Sequence, residues 1–297
     1  MTRRVVLVTG ATGFIGWPTL PHFAGTGFQV VGMARHGTAG TIAGDLFDTE
    51  RVRDVLAQVR PTHVLHLAWD VTPGQFTQGP ENLDYVAATL NFARAAAEAG
   101  VQRFVGVGTC AEYDWRDGGT APRRETDPTV PDTMYGIAKH ATHMMLEKFF
   151  ANAGIDFAWA RPFFLFGRGE PPARLIAGAI DTLRQGRVFT CKHGQLQRDY
   201  MATEDAGAAL ARLVASAVSG PVNIASGEVL SIGDLVRIVA IGLGRDGLAD
   251  IRAEPLPGQP LCMGADITRL RDEVGFIPAA SVRTRLATLL ADACRSA

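Results

Sequence analysis

The chain has 297 residues, a formal net charge of −1 at pH 7, a pI near 6.7 and no run of like charges, which excludes the basic surfaces typical of nucleic-acid and anionic-membrane binding. Its longest apolar stretches are the size of strands, well below the roughly 20 residues that cross a bilayer, so a membrane protein is also excluded. Four widely separated cysteines and no recognisable signal peptide predict reduced thiols in a soluble, cytoplasmic protein whose partners are small molecules.

The first half of the chain alternates short runs of β-branched residues with longer helical patterns. The apolar spacing predicts strands at Arg4–Thr9, Gln29–Met33, His63–Leu67, Arg103–Val107 and Phe157–Ala160. It predicts helices at Phe14–Ala24, Thr49–Val59, Asn82–Ala99 and Met134–Ala153. This alternation favours an α/β fold with a doubly wound parallel sheet that carries helices on both faces.

The pattern changes near residue 163, where Pro162 and the segment Gly167–Pro172 interrupt it. We therefore expect a first unit over residues 1–163 and a smaller C-terminal α/β unit over residues 164–297. The helix predicted at Glu204–Ser216 and the strand predicted at Val222–Ile224 indicate that a segment of about residues 198–224 returns to the first sheet. The two units are expected to be interleaved. The remaining helices are predicted at Ala173–Arg184, Ser231–Leu243, Ile267–Val274 and Val282–Ala293.

A glycine-rich loop follows the first predicted strand and opens the first helix, with glycines at positions 10, 13 and 16. Glycines let the backbone turn tightly and approach a pyrophosphate, whose charge is stabilised by the free N–H groups of the helix start. This context is typical of the Rossmann-type dinucleotide-binding fold, although the commoner spacing there is Gly-x-Gly-x-x-Gly. The loop residues expected to bind the cofactor are Gly10, Thr12, Gly13, Phe14 and Ile15.

The segment after the second strand predicts which dinucleotide binds. An acid there would accept hydrogen bonds from the ribose 2′-hydroxyl of NAD, but the first carboxylate in this region is Asp45. Arg35, with His36 beside it, is suited to a 2′-phosphate, so the sequence favours NADP over NAD. The alternative is a merely solvated Arg35, because arginine is common in this chain. Asp45 and Leu46 are expected to lie beneath the adenine.

Lys139 is one of only three lysines among 29 basic residues, and it follows Tyr135 by four positions. In a helix this spacing places both side chains on one face, one turn apart. An ammonium beside a phenol favours the ionised form of the phenol, which makes the tyrosine an acid or a base. The alternative is a surface pair on an amphipathic helix.

Several segments of the chain occur in an order and spacing that match one known family. They are Thr9–Gly16, His66–Ala68, Thr109, Tyr135–Lys139, Arg161–Pro162, Arg198–Tyr200, Thr203–Asp205 and Asn223–Glu228. In these segments the chain resembles the extended short-chain dehydrogenase/reductase family, in particular its NAD-dependent epimerase/dehydratase branch, which acts on nucleotide sugars. The resemblance covers nearly the whole chain. It implies that the first unit binds the dinucleotide and the second binds the substrate.

The resemblance also implies roles for individual residues. The Thr109 hydroxyl would hydrogen-bond the substrate oxygen, Tyr135 would be the general acid or base, and Lys139 would lower its pKa and bind the nicotinamide ribose. Further cofactor contacts would come from Leu67, Ala68, Trp69 and Pro162. Substrate contacts would come from Trp69, Thr109, Cys110, Phe164, Arg168 and Arg198.

The chain also departs from the family pattern. Tyr85 and Phe164 stand where the family usually has asparagines, and the arginine often found before the Asp266-Ile267 segment is missing. The missing arginine leaves open how a diphosphate would be held. Candidates to replace it are Arg168, Arg174 and Arg198.

Three reactions are compatible with this set of residues, and the sequence ranks them. Dehydration is disfavoured because Cys110 and Ala111 replace the family's Asp-Glu pair, which leaves Glu112 as the only nearby acid. Because Arg35 favours NADP, we expect an NADPH-dependent 4-ketoreductase of a nucleotide-linked deoxyhexose, with Tyr135 as general acid. The alternative is a nucleotide-sugar 4-epimerase with bound NAD. A third possibility is a dinucleotide-binding protein without catalysis.

Two further expectations concern metals and assembly. No metal is expected, since the pair His63 and His66 lacks an acidic partner and the pair His140 and His143 lies beside Lys139. The resemblance implies a homodimer formed by the helices predicted at Asn82–Ala99 and Met134–Ala153. The loop of residues 114–132 is either a lid over the substrate or a solvated crossing.

Overall fold

The computed structural model describes residues 4–38, 40–119 and 121–295. Its strands are β1 (Arg4–Thr9), β2 (Phe28–Ala34), β3 (Thr41–Ala43), β4 (His63–His66), β5 (Arg103–Val107), β6 (Asp156–Pro162), β7 (Phe164–Phe166), β8 (Phe189–Cys191), β9 (Gln197–Ala202), β10 (Gly220–Ile224), β11 (Val229–Ser231), β12 (Ala249–Ile251) and β13 (Cys262–Met263). Its helices are α1 (Gly16–Thr19), α2 (Thr49–Val59), α3 (Glu81–Glu98), α4 (Met134–Ala153), α5 (Leu175–Arg184), α6 (Thr203–Ala215), α7 (Ile232–Gly242), α8 (Thr268–Asp272) and α9 (Val282–Arg295). Short 3₁₀ turns lie at Leu20–Phe23, Cys110–Glu112 and Asp246–Leu248.

Seven of these strands form one parallel sheet in the order β10-β6-β5-β4-β1-β2-β3. The central strand β1 buries Val6, Leu7 and Val8 completely, which is typical of a parallel strand covered on both faces. The chain winds from β1 outwards to β3, then crosses to β4 and continues in the other direction. The predicted doubly wound parallel sheet is therefore confirmed, and the order reverses beside β1, where such folds bind ligands.

Each face of the sheet carries its own apolar cluster. On one face, α6 contributes Leu210 and Leu213 to a cluster that also contains Phe23. On the other face, α2, α3 and α4 pack over Phe104 and Trp159. Burial of side chains of this size on both faces is the main stabilising term of the fold.

The C-terminal unit is built around β9, which pairs with β7, β11 and β13, while β8 pairs with β12. Its own apolar cluster joins α5, α7 and α9 through residues such as Leu183, Leu235 and Leu286. The chain then returns, because α6 packs on the first sheet and β10 adds to its edge. The two units are interleaved through this return.

The helix predicted at Phe14–Ala24 is wrong in its extent. It is the four-residue helix α1 followed by the 3₁₀ turn Leu20–Phe23. Pro18 and Pro21 explain the difference, because a proline inside a helix removes a backbone donor and clashes with the preceding turn. No helix in the described part of the chain combines the length and the apolar character needed to cross a membrane.

Candidate active site

The glycine loop lies at the carboxyl edge of the sheet, between β1 and α1. Gly10 has φ +65°, and a Cβ atom there would lie 2.9 Å from the backbone nitrogen of Ala68. A Cβ atom on Gly16 would lie 2.2 Å from the Gly10 carbonyl oxygen. The Thr9 hydroxyl accepts hydrogen bonds from the N–H groups of Leu67 and Ala68 at 3.1 and 3.2 Å. Positions 10 and 16 therefore have no room for a side chain. The hydrogen bonds of Thr9 hold the start of the loop close to the end of β4.

The outer part of the same loop faces solvent. Thr12 and Gly13 are exposed, and Phe14 and Ile15 are half-buried. The Gly13 N–H donates to the carbonyl of Gly10 at 2.9 Å, which holds the turn. The loop thus combines a rigid inner edge with accessible backbone, the arrangement that a phosphate group needs.

The carboxylate of Asp45 lies beside Arg35, a pairing that was not predicted. The Arg35 Nε atom lies 3.8 Å from Oδ2 of Asp45, with the two side chains 59% and 40% exposed. Its Nη2 atom lies 3.4 Å from the hydroxyl of Tyr85. His36 is exposed and Leu46 is buried. Sequence reasoning missed the pairing because Asp45 reaches Arg35 only through the short strand β3, which was not predicted.

Thr109, Tyr135 and Lys139 come together at the same edge of the sheet. Thr109 follows β5 and caps the 3₁₀ turn, where its hydroxyl accepts the N–H of Ala111 at 3.2 Å. Tyr135 lies in the first turn of α4, which begins at the cap Thr133. Although Tyr135 keeps some exposed surface, burial of its phenol raises its pKa, and the hydroxyl of Thr109 opposes this rise only in part.

The Lys139 ammonium is held by two groups other than the Tyr135 phenol. Its Nζ atom donates to the carbonyl of Val107 at 2.7 Å and lies 3.8 Å from the ring centre of Trp69. It lies 5.9 Å from the ring centre of Tyr135. Burial lowers the pKa of Lys139 to about 7, and the nearby carboxylate of Glu112 opposes this shift. The Thr109 hydroxyl and the Arg174 guanidinium both lower the pKa of Tyr135, and the expected lowering by Lys139 stays a prediction.

Aromatic side chains surround the phenol and the ammonium. Trp69 stacks on Tyr85 at 5.4 Å between ring centres, and its indole N–H donates to Asn82 at 3.0 Å. Phe76 meets the Tyr135 ring edge to face at 4.9 Å. These contacts make the wall of the site apolar, and in an apolar wall charged groups lose hydration.

Glu112 joins the pair His140 and His143, for which no metal was expected because the pair lies beside Lys139. One ligand atom from each of the three lies within 4.8 Å of the others. The Oε2 atom of Glu112, which lies 3.8 Å from His140 Nδ1 and 3.9 Å from His143 Nδ1, also accepts a hydrogen bond from Nε of Arg161 at 3.1 Å. A guanidinium at this distance competes with a metal cation for the carboxylate. The expectation that no metal binds stays a prediction.

Arg198, one of the residues considered for a diphosphate, is committed to the backbone. Its Nη1 atom donates to the carbonyl oxygens of Gln197, Pro260 and Leu261 at 2.8, 3.1 and 3.2 Å. The guanidinium also lies 5.5 Å from the ring centre of Phe164. Arg198 thus fastens the loop before β13 and has less capacity for a phosphate.

The remaining substrate candidates differ in their surroundings. Arg168 is exposed on the turn after β7, whereas Arg174 is half-buried and lies 5.6 Å from the ring centre of Phe14 in the glycine loop. Cys110 is buried, which raises the pKa of its thiol to about 12 and argues against a nucleophile. Pro162 ends β6 at the same sheet edge.

The loop after the 3₁₀ turn is anchored to β10 of the first sheet and to the segment that follows β13. The backbone of Arg123 bridges to Ala265 in a parallel manner, and its carbonyl accepts a hydrogen bond from the Asn223 amide at 2.8 Å. Glu125 accepts the N–H of Asn223 at 2.9 Å. These contacts hold the part of the loop that contains Arg123 and Glu125.

Comparison with known proteins agrees with this geometry. The family model described as "NAD dependent epimerase/dehydratase family" matches residues 6–233. A UDP-glucose 4-epimerase of Rhizobium leguminosarum bv. trifolii is 28% identical over 323 residues, which cover 94% of each chain. A dTDP-6-deoxy-L-talose 4-dehydrogenase (NAD(+)) of Aggregatibacter actinomycetemcomitans is 24% identical over 239 residues, or 76% of this chain and 86% of the relative.

The fold is also similar to solved structures. The UDP-glucose 4-epimerase of Thermus thermophilus, solved in complex with NAD, superposes with a TM-score of 0.83. That alignment covers 99% of each chain at 23% identity. The likeness extends through the interleaved second unit.

The lowered pKa of Lys139 predicts how stability depends on pH. The unfolded chain binds a proton that the folded chain releases between pH 7 and 10.5, so stability should rise with pH across this window. Lys139→Met removes this cost and should raise the urea midpoint at pH 6.5, with an advantage that shrinks at pH 8 and again at pH 9.5. Lys148→Met, at an exposed lysine of the same helix, is the control. An advantage of Lys139→Met that stays constant with pH would contradict the assignment.

Proposed function

Because the chain belongs to the NAD-dependent epimerase/dehydratase family of nucleotide-sugar enzymes, we propose that it is a nucleotide-sugar 4-epimerase that works with a bound nicotinamide dinucleotide. The observation that carries the proposal is the gathering of Thr109, Tyr135 and Lys139 beside the glycine loop. The UDP-glucose 4-epimerase relative, matched along 94% of each chain, supports epimerisation over the 4-ketoreductase that the sequence favoured.

The glycine loop fits a dinucleotide on steric grounds. A Cβ atom at Gly10 or Gly16 would collide with backbone, so the loop is built for close approach, and Gly10, Thr12, Gly13, Phe14 and Ile15 would hold the pyrophosphate. Leu67, Ala68 and Pro162 line the same sheet edge and would flank the cofactor. A bound nicotinamide would supply the hydride acceptor and donor.

The protein residues would then manage the proton. Tyr135 would take a proton from the carbinol oxygen as it becomes a ketone and return it afterwards, while the Thr109 hydroxyl holds that oxygen. The raised pKa of the phenol suits its acid step. The base step needs a cation near the phenol, which Lys139 on the same face of α4 would supply. Epimerisation then requires the ketone to present its other face before hydride returns.

The surroundings of Arg35 bear on the choice between NAD and NADP. Asp45 brings a carboxylate to 3.8 Å from Arg35, and a carboxylate there favours a ribose 2′-hydroxyl over a 2′-phosphate. This supports NAD for the epimerase. The second candidate function is the NADPH-dependent 4-ketoreductase of a nucleotide-linked deoxyhexose, which the Arg35 guanidinium and the 4-dehydrogenase relative favour.

One experiment separates the two candidates. Purified protein is denatured, released nucleotides are identified by chromatography, and the native enzyme is assayed with UDP-glucose. We expect bound NAD or NADH and conversion to UDP-galactose, with Tyr135→Phe slowing turnover about 10²–10⁴-fold. Tyr113→Phe, which removes a phenol that donates to Asn223 at 2.6 Å, serves as the control. An empty protein that oxidises NADPH with a 4-keto sugar nucleotide would select the reductase.

We further propose that Arg174 grips the diphosphate of the substrate. Among the described residues its guanidinium has no hydrogen-bond or ion-pair partner, and it points from the start of α5 over Phe14. It also lies close enough to Tyr135 to act on the pKa of the phenol. Glu170 is its acidic neighbour, but burial raises the pKa of that carboxyl to about 7, so it neutralises Arg174 only in part.

Substitution of Arg174 should weaken substrate binding more than turnover. A charge-assisted hydrogen bond contributes about 1.5–3 kcal/mol, so Arg174→Gln should raise KM for the nucleotide sugar about 10–150-fold with a smaller change in kcat. Arg184→Gln, at the exposed far end of α5, is the matched control. A large KM increase in Arg168→Gln with none in Arg174→Gln would assign the diphosphate to the other arginine.

The outer surface of α3 and α4 favours pairing with a second copy of the chain. Ile137, Met144 and Met145 on α4 are 49%, 58% and 59% exposed, and Leu83 on α3 is 60% exposed. The first three recur at helical spacing, which makes an apolar stripe that solvent disfavours. We propose that this stripe packs against its own copy around a two-fold axis.

A charge in the stripe should break the pairing. Met144→Lys is expected to convert a dimer to a monomer in size-exclusion chromatography with light scattering. Ile277→Lys, at an exposed apolar residue elsewhere, should leave the dimer intact. If the wild-type protein is a monomer at all concentrations, the proposed dimer is wrong.

A further inference from the structure

A completely buried carboxylate lies in the 3₁₀ turn Cys110–Glu112, which is called the catalytic turn below because Thr109 caps it. Glu112 ends the 3₁₀ turn that Thr109 caps, and its side chain is completely buried. A buried carboxylate loses hydration and persists only where hydrogen bonds and opposite charges replace the water. The proposed reaction gives this residue no role.

Both oxygens of Glu112 are engaged. Oε1 accepts the backbone N–H of Thr109 and the indole N–H of Trp159, each at 2.9 Å. Oε2 accepts Nε of Arg161 at 3.1 Å. The carboxylate therefore joins the catalytic turn to β6. The hydrogen bond to Thr109 fixes the backbone of the residue whose hydroxyl faces Tyr135.

The surrounding charges keep the carboxylate ionised. Burial alone would raise its pKa, but the imidazole of His140, the guanidinium of Arg161 and the indole N–H of Trp159 together hold the pKa below its ordinary value. His143 stacks on Trp159 at 5.1 Å, and burial lowers the pKa of His143 to about 4. Neutral His143 therefore adds no charge near pH 7.

The other titratable groups near Glu112 are few. Lys139, His140 and His143 face it from α4, Arg161 faces it from β6, and Cys110, Tyr113 and Tyr135 lie within its electrostatic reach. Within this set, Glu112 is the negative charge that favours the protonated form of Lys139.

We propose that Glu112 is a positioning residue that fixes Thr109 through its backbone and whose buried negative charge favours the protonated form of Lys139. The inference rests on the proposed function of Thr109 and Lys139, and it is carried by the hydrogen bonds that join Glu112 to Thr109, Trp159 and Arg161. It assigns two tasks to one side chain, and two substitutions separate them. Glu112→Asp keeps the charge and shortens the reach to Thr109. Glu112→Gln keeps the shape and removes the charge.

Glu112→Gln alone leaves Arg161 buried without its partner, which is a strongly destabilising change. The variant E112Q/R161M removes both charges while it keeps the packing, and it is the informative protein. Losing a negative neighbour lowers the pKa of a lysine. The alkaline limb of the kcat/KM profile should therefore move about one pH unit lower in E112Q/R161M. In Glu112→Asp the limb should keep its position while kcat falls about tenfold.

A second readout needs no activity. In a double-mutant cycle at about pH 5.5, where Lys139 is mostly protonated in both backgrounds, Lys139→Met should raise the urea midpoint more in the E112Q/R161M background than in the wild-type chain, because the uncompensated ammonium costs more there. Equal midpoint changes together with an unmoved alkaline limb would overturn the proposal. If the wild-type protein has no epimerase activity while the double-mutant cycle gives the expected difference in urea midpoints, the proposed reaction is wrong and the inference about Glu112 stands. A bound metal in wild-type protein that is lost in E112Q/R161M would also overturn it, because Glu112, His140 and His143 would then be ligands.

Discussion

The close approach of the glycine loop to the end of β4 is the constraint on which the site depends. Gly10 leaves no room for a side chain against Ala68, and the Thr9 hydroxyl receives N–H groups from that strand end. Thr9 also contacts His66 at 2.8 Å, and His66 contacts Thr89 of α3 at 3.0 Å. Burial lowers the pKa of His66 to about 3, so a neutral ring links the two hydroxyls. β1, β4 and α3 are thereby fixed around one edge of the sheet.

On this edge the electrostatics depend on a small number of buried charges. The ammonium of Lys139 is desolvated and rests on a carbonyl oxygen and the Trp69 ring, while Glu112 and Arg161 form an ion pair beneath the turn. In an apolar wall each charge acts over a longer distance than in water. The pKa of Tyr135 consequently depends on charged neighbours such as Glu112 and Arg174.

Much of the fold could be predicted from the sequence, because its signals are local. The bounds of α2 and α4 follow from apolar periodicity and from the caps Asp48, Thr133 and Gly154. The spacing from Tyr135 to Lys139 likewise follows from the helix. The relation between Arg35 and Asp45 could not be predicted, because it depends on how a short edge strand folds back. The contact of Lys139 with Trp69 could not be predicted either, because it joins α4 to the end of β4.

The same distinction applies to the function. Local motifs predict a proton-transferring tyrosine and a dinucleotide loop, whereas the choice between returning hydride to the same sugar and reducing a separate ketone would depend on how the substrate is held. The fate of the hydrogen on carbon 4 tests this choice most directly. UDP-glucose deuterated at carbon 4 should yield UDP-galactose that retains the deuterium at carbon 4. Loss of the deuterium to solvent, or its appearance in released cofactor with a keto sugar as product, would contradict the account.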